Sequence, residues 1–143
     1  MSRACFVLVA AAVLGGCAPA AITMGQLPAV ASPRQAGEVV VVRERGFIAS
    51  DFSYYVNVNQ QNIVALESGE HTRLQLPAGQ HRIALRCYAP LDGGWKETAV
   101  TEYVPAQGTV YLQAAPRYDC ASLTPVTEAQ ARKLLSGTSA KAP

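Results

Sequence analysis

The chain reads as a mainly β protein: a two-sheet antiparallel sandwich of about seven short strands, with one short C-terminal helix. Three observations predict this. Apolar residues recur at every second position in short runs, as in Thr72-Leu74-Leu76 and His81-Ile83-Leu85-Cys87, the period of a half-buried strand. Turn residues punctuate those runs at Pro77-Ala78-Gly79-Gln80, Asp92-Gly93-Gly94 and Pro105-Ala106-Gln107-Gly108, where Pro presets φ and Gly supplies φ > 0. No strand–helix–strand alternation interrupts the pattern.

The N-terminus is a separate unit. Arg3 supplies a positive charge, and Ala4–Leu14 is apolar throughout. The run fits the roughly 7–15 residues of a secretory h-region and falls short of the roughly 20 needed to span a bilayer. It breaks at Gly15-Gly16, directly before Cys17. Leu14-Gly15-Gly16-Cys17 resembles the lipobox of bacterial lipoproteins. The resemblance implies cleavage before Cys17, a thioether-linked diacylglycerol on its sulfur and an acyl chain on its amine. An ordinary cleavage site at Ala18-Pro19-Ala20 and a leader retained as a short helix are the competing readings. Two or three acyl chains hold a protein firmly on a membrane, whereas one gives marginal binding. By the same resemblance, Ala18 after the cysteine implies sorting to the outer membrane, with the domain facing the periplasm.

This divides the chain into a signal peptide (1–16), a lipidated N-terminus and Ala/Pro-rich tether (17–36), a folded domain with its helix (37–137) and a disordered tail (138–143). The mature chain has about 127 residues, enough for one domain and few for two. With 12 Lys and Arg against 10 Asp and Glu, and no polybasic run, nucleic acid is not an expected partner. Cys87 and Cys120 are the pair left after Cys5 is removed and Cys17 is lipidated. In an exported chain they read as a disulfide, closing a loop of about 34 residues for roughly 3–4 kcal/mol in the chain-entropy account. Buried free thiols are the alternative. A metal site lacks local ligand spacing.

Taken in order, Val39-Val40-Val41-Val42 within Glu38–Arg43 predicts a strand buried on both faces. Gly46–Asp51 is a loop. Tyr54, Val56 and Val58 share one face of the next strand, with Tyr55, Asn57 and Asn59 opposite. Asn59–Asn62 is a polar turn into Ile63–Leu66. Thr72, Leu74 and Leu76 then alternate, and His81, Ile83, Leu85 and Cys87 follow across the Pro77–Gln80 loop. A hairpin there would pair Leu76 with His81, Leu74 with Ile83 and Thr72 with Leu85. Trp95–Val104 and Thr109–Ala114 are further strands, and Pro116–Thr124 is extended. Thr127 with Gln130 forms a capping box, predicting a helix over Glu128–Leu135 that docks Ala131, Leu134 and Leu135.

The stretch Tyr54–Leu85 resembles PEGA-type modules and related uncharacterised lipoprotein domains. The resemblance rests on Val56-Asn57-Val58 and on Leu76-Pro77-Ala78-Gly79-Gln80-His81-Arg82-Ile83. Asn59-Gln60-Gln61 departs from the family's Asp-Gly turn, and Ala78 lengthens its Pro-Gly step. The resemblance implies an immunoglobulin-like sandwich in the cell envelope, with no established activity.

No constellation for catalysis stands out. His81 reads as a ring packed under the hairpin with one nitrogen on backbone, and His71 as solvated. Ser50, Ser53 and Ser68 lack a G-x-S-x-G setting, and no phosphate-binding, zinc or calcium pattern occurs. The expectation is a non-enzyme with no cofactor beyond the lipid on Cys17. In the hairpin register, Arg73, Arg82 and Arg86 share an outward face and, with Trp95 at a loop tip, form a candidate interaction patch. A solvated sheet face and a partly buried core tryptophan are the plainer readings. The function expected is a lipid-anchored structural or protein-interaction module with an envelope protein as partner. The alternatives are a periplasmic small-ligand or saccharide binder, or an accessory or immunity lipoprotein of a secretion system.

Overall fold

Four consecutive valines cannot sit in a strand with one wet face; they need cover on both sides, and the fold supplies it. The computed structural model describes residues 22–46, 51–89 and 91–143. The leader, Cys17 and part of the 46–51 loop lie outside the described residues. The elements are β1 (Ala36–Arg43), β2 (Tyr54–Val58), β3 (Gln61–Leu66), β4 (Glu70–Pro77), β5 (Gly79–Ala89), β6 (Gly94–Val104), β7 (Thr109–Pro116), β8 (Ala121–Val126), α1 (Glu128–Leu135) and β9 (Ser139–Ala140), after a 3₁₀ turn at Pro33–Gln35. They form a five-stranded sheet ordered β8-β7-β1-β4-β9 and a four-stranded sheet ordered β3-β2-β5-β6.

The two-sheet β architecture and the single short helix are those the sequence predicts. Two features differ in detail. Nine strands are present among the described residues, and two pairings are parallel: β1 with β7 and β4 with β9. The valines of β1 explain the first. A strand in mid-sheet needs neighbours on both edges, and β1 takes β4 antiparallel on one side and β7 parallel on the other.

Val39 and Val41 point between the sheets into a core with Tyr54, Val56, Leu66, Leu74, Leu76, Ile83, Leu85 and Leu112. Val40 and Val42 are equally buried on the other side, where α1 packs against β1 and β7 and contributes the fully buried Ala131. The helix is fixed at its start by the expected capping box: the Gln130 N–H donates to Thr127 Oγ1, and the Thr127 N–H donates to Gln130 Oε1.

The predicted β4–β5 hairpin does not form. Pro77-Ala78-Gly79 is a corner that carries the chain from one sheet to the other, with Gly79 at φ +139°, a region open to glycine. β4 pairs with β1, while β5 pairs with β2 and β6. Leu74 and Leu76 therefore meet Ile83 and Leu85 across the core instead of side by side. The inward residues are as expected; the ladder is not.

The described segments on either side of the domain depart from expectation too. Within the stretch read as a tether, with packing of Met24 and Leu27 on the domain as the alternative, Leu27 packs on the core, and the Gly25 N–H donates to the Asn62 carbonyl at 2.7 Å. The tail read as disordered adds β9 beside β4, with the Ser139 and Lys141 N–H groups donating to the Gly69 and His71 carbonyls. Each segment satisfies backbone groups that a bare sheet edge would leave open.

Among the described residues one charged side chain, that of Arg43, is buried. Arg43, at the end of β1, donates to the carbonyls of Phe52 and Leu66 at 2.6 Å and lies over the Tyr54 ring at 3.7 Å. Burial pulls its pKa below the ordinary arginine value and pushes that of Tyr54 up. The Tyr54 hydroxyl donates to the Cys120 carbonyl.

Candidate functional site

The outer faces of the two sheets are built differently. Helix α1 lies over the five-stranded sheet. On the four-stranded sheet, β2, β5 and β6 present Tyr55 and Asn57, then Arg82, Arg86 and Tyr88, then Trp95 and Glu97. The ladder places Tyr55 beside Arg86, Arg86 beside Glu97, and Tyr88 beside Trp95. These side chains share a face because each lies one position from an inward residue: Val56, Ile83, Leu85 and Cys87 are buried.

Trp95 is the centre of an aromatic cluster. Its ring packs edge-on against Tyr55 at 5.6 Å and against Tyr88 at 5.7 Å. The Arg86 guanidinium sits 5.4 Å from its centroid, a cation–π distance. Trp95 remains 44% exposed and Tyr88 48%, so the cluster is held in place yet open to a partner. The plainer reading of a core tryptophan does not hold.

Beside the aromatics, Glu97 joins both arginines: it pairs with Arg82 and lies 3.9 Å from Arg86. Between them the small Ala84 leaves a shallow depression lined by Asn57, Gln60, Arg82, Arg86 and Glu97. Asn57 is 2% exposed, and its Oδ1 is buried without a hydrogen-bond partner, a costly state for a polar atom. The floor of the depression is framed by a tight β2–β3 turn, in which Asn59 (φ 47°) and Gln60 (φ 74°) both adopt left-handed backbone.

The four residues of the sequence-predicted patch are not all brought together. Arg82, Arg86 and Trp95 converge. Arg73 lies on β4 in the opposite sheet, bound to Glu38 at 2.9 Å. The shared face expected for all three arginines followed from the β4–β5 hairpin and falls with it. Tyr55, Tyr88 and Glu97 complete the site, and the two tyrosines are not among the residues singled out from the sequence. The signal was available for Tyr88, which continues the even spacing of Arg82 and Arg86.

A second feature adjoins the cluster. Cys87 on β5 and Cys120 before β8 lie at disulfide distance, Cα to Cα 5.8 Å, within the range that a disulfide bridges. Around them Phe52, Tyr88, Leu91 and Tyr118 line an apolar cleft of about 150 Å³. Leu91 and Tyr118 are among the most exposed large apolar residues described. Tyr88 belongs to both features, so one end of the domain carries continuous aromatic surface.

The two histidines are structural. His81 Nε2–H donates to the Pro77 carbonyl at 2.7 Å, and Nδ1 accepts from Asn59 Nδ2 at 3.1 Å. The two bonds hold the ring under the corner. His71 lies 2.8 Å from Thr138 Oγ1. Its pKa is lowered, first by burial and then by Arg73. Among the described residues no group of three or more His, Cys, Asp or Glu is placed to hold a metal ion, and no helix is long and apolar enough to cross a membrane.

Comparison with known proteins returns nothing: no family model, no curated protein and no solved structure matches this chain.

Proposed function

We propose that this chain is a cell-envelope lipoprotein, anchored through acyl chains on Cys17 to the outer membrane, that acts as a non-catalytic docking module facing the periplasm. One observation carries the docking reading: one sheet face is roofed by its own helix, while the other exposes Tyr88 and Trp95, with Tyr55 half-buried against them, beside Arg82 and Arg86. Tryptophan, tyrosine and arginine are the residues that dominate interface energetics. The Leu14–Cys17 motif supports the anchor, and an oxidising compartment would close Cys87 to Cys120 as a disulfide.

The test is in-cell crosslinking from a photoreactive residue at position 88, with a probe at Arg132 on the helix as reference. The expected result is a defined envelope protein captured from position 88 and lost when Arg82 and Arg86 are both changed to Glu. Equal capture from both positions, or capture indifferent to the charge reversal, overturns the docking face. Separately, a Cys17→Ser chain should leave the membrane fraction; full retention overturns the anchor.

A second reading is favoured by the Asn57 carbonyl. An unpartnered acceptor below a rim of Gln60, Arg82 and Glu97, next to an aromatic cluster, suits a saccharide with a carboxylate better than a flat protein surface. Calorimetric titration with acidic cell-wall saccharides separates the two: saturable heat that Asn57→Ala removes supports the ligand reading.

A further inference from the structure

Sheet edges offer unpaired backbone groups, and this fold treats its edges unequally. β3 receives the Gly25 N–H, β4 is extended by β9, and β8 carries Pro125, which has no donor. The edge of β6 is different. It runs for 11 residues, Gly94–Val104, and among the described residues no strand pairs with its outer side. Every second residue there turns its N–H and C=O away from β5.

We propose that β6 pairs antiparallel with β6 of a second copy of this chain, about a two-fold axis through Ala99. The sequence of the strand is self-complementary in that register. A two-fold axis perpendicular to the sheet keeps inner faces on one side, so only residues of equal parity can meet. On the inner face, which Lys96, Thr98, Val100 and Glu102 share with Cys87, Leu85, Ile83 and His81, Lys96 of each copy meets Glu102 of the other, and Thr98 meets Val100. On the outer face Trp95 meets Tyr103, and Glu97 meets Thr101. Opposite charges and paired aromatics are the favourable cross-strand pairs.

Neighbouring registers lose this match. Moving the axis to Thr98 sets Lys96 against Val100, and moving it to Val100 sets Lys96 against Val104. Inward-pointing charges normally block edge pairing; here they permit one register and penalise the others. Trp95 and Tyr103 are 44% and 64% exposed, and Lys96 has only a 3.6 Å contact with Asp92 to give up. The result is one continuous sheet through both copies, with the two aromatic clusters on the same side. This holds whether or not that face docks a protein.

Sedimentation equilibrium of the full chain in detergent tests it. The expected result is a dimer, with Lys96→Glu and Glu102→Lys each weakening association by at least about tenfold and the double exchange restoring it. Ala99 lies on the axis, so Ala99→Cys should crosslink to its own copy under mild oxidation, because facing Cα atoms in such a pair are about 4.5–5.5 Å apart. Thr101→Cys, facing Glu97, should not. A monomer at every concentration, single reversals without effect, or Thr101→Cys linking as fast as Ala99→Cys overturns the proposal. So does a partner strand from a different protein occupying this edge in cells.

Discussion

The outer faces of the two sheets begin from the same alternation and end differently. On the five-stranded sheet, β1 carries valine at both parities, and the outward pair, Val40 and Val42, is buried together with Ala131 of α1. On the four-stranded sheet, the outward positions of β5 are Arg82, Arg86 and Tyr88, and no helix among the described residues lies over them. An apolar outward face forces the chain to build a roof from its own sequence; an amphipathic one can be left open. The open face is therefore where contact with another molecule can be made without unfolding anything.

The largest way to break the comparison is to separate the sheets. Cys87 belongs to the four-stranded sheet, and Cys120 leads into β8 of the other. Replacing both with Ala should lower unfolding stability by about 3 kcal/mol, measured by urea denaturation under non-reducing conditions. An unchanged midpoint would mean that the two thiols are not linked in the folded protein.

Next in size is the contrast between faces. Val40→Ala opens a cavity under α1 and should cost about 2 kcal/mol. Arg82→Ala removes an exposed pair with Glu97 and should stay within about 0.5 kcal/mol. If Arg82→Ala cost as much as Val40→Ala, the open face would be serving stability, and its reading as a docking surface would weaken. The roof itself can be loosened at its edge. Thr127→Ala deletes the hydroxyl that accepts the Gln130 N–H, the side-chain half of the capping box, and should cost about 1 kcal/mol, with hydrogen exchange rising first in α1.

Which residues point inward was legible from the period of two: Tyr54, Val56, Leu74, Leu76, Ile83 and Leu85 are all buried as the alternation required. So were the doubly buried Val39–Val42 and the capped helix, because each rests on a local pattern. Which strands are neighbours was not legible. The alternation of β4 and β5 is identical whether they pair side by side or face each other across a core, and Pro77-Ala78-Gly79 suits a corner as well as a hairpin. That ambiguity moved Arg73 to the wrong face. The chain ends misled for a related reason. Gly25 and Ser139 are held by backbone hydrogen bonds to sheet edges, and side-chain patterns carry no trace of those. The aromatic cluster was partly visible, since parity alone sets Tyr55 and Tyr88 outward, but only the β5–β6 register brings Trp95 between them.

The smallest effect tests how firmly the roof is latched. β9 follows α1 and lies beside β4, and His71 on β4 contacts Thr138 between the two elements. Burial and the nearby Arg73 charge disfavour the imidazolium, so the folded-state pKa lies below the ordinary value of about 6.5. The folded chain thus binds a proton less readily than the unfolded one, and stability falls as pH falls. The contribution is fully present above about pH 6.5 and is lost as pH drops through the lowered folded value. Glu70 and Lys141 face the same junction but pair with each other at 3.6 Å, which limits their part in the change. His71 is half-buried, and solvent screening of its exposed part keeps the effect small. An NMR titration should place the His71 midpoint below that of a free histidine. The difference in stability between the native chain and His71→Gln should narrow on acidification. A midpoint above the ordinary value would show that His71 prefers its charged form in the fold and that the latch tightens in acid, and one at that value that the latch is indifferent to pH.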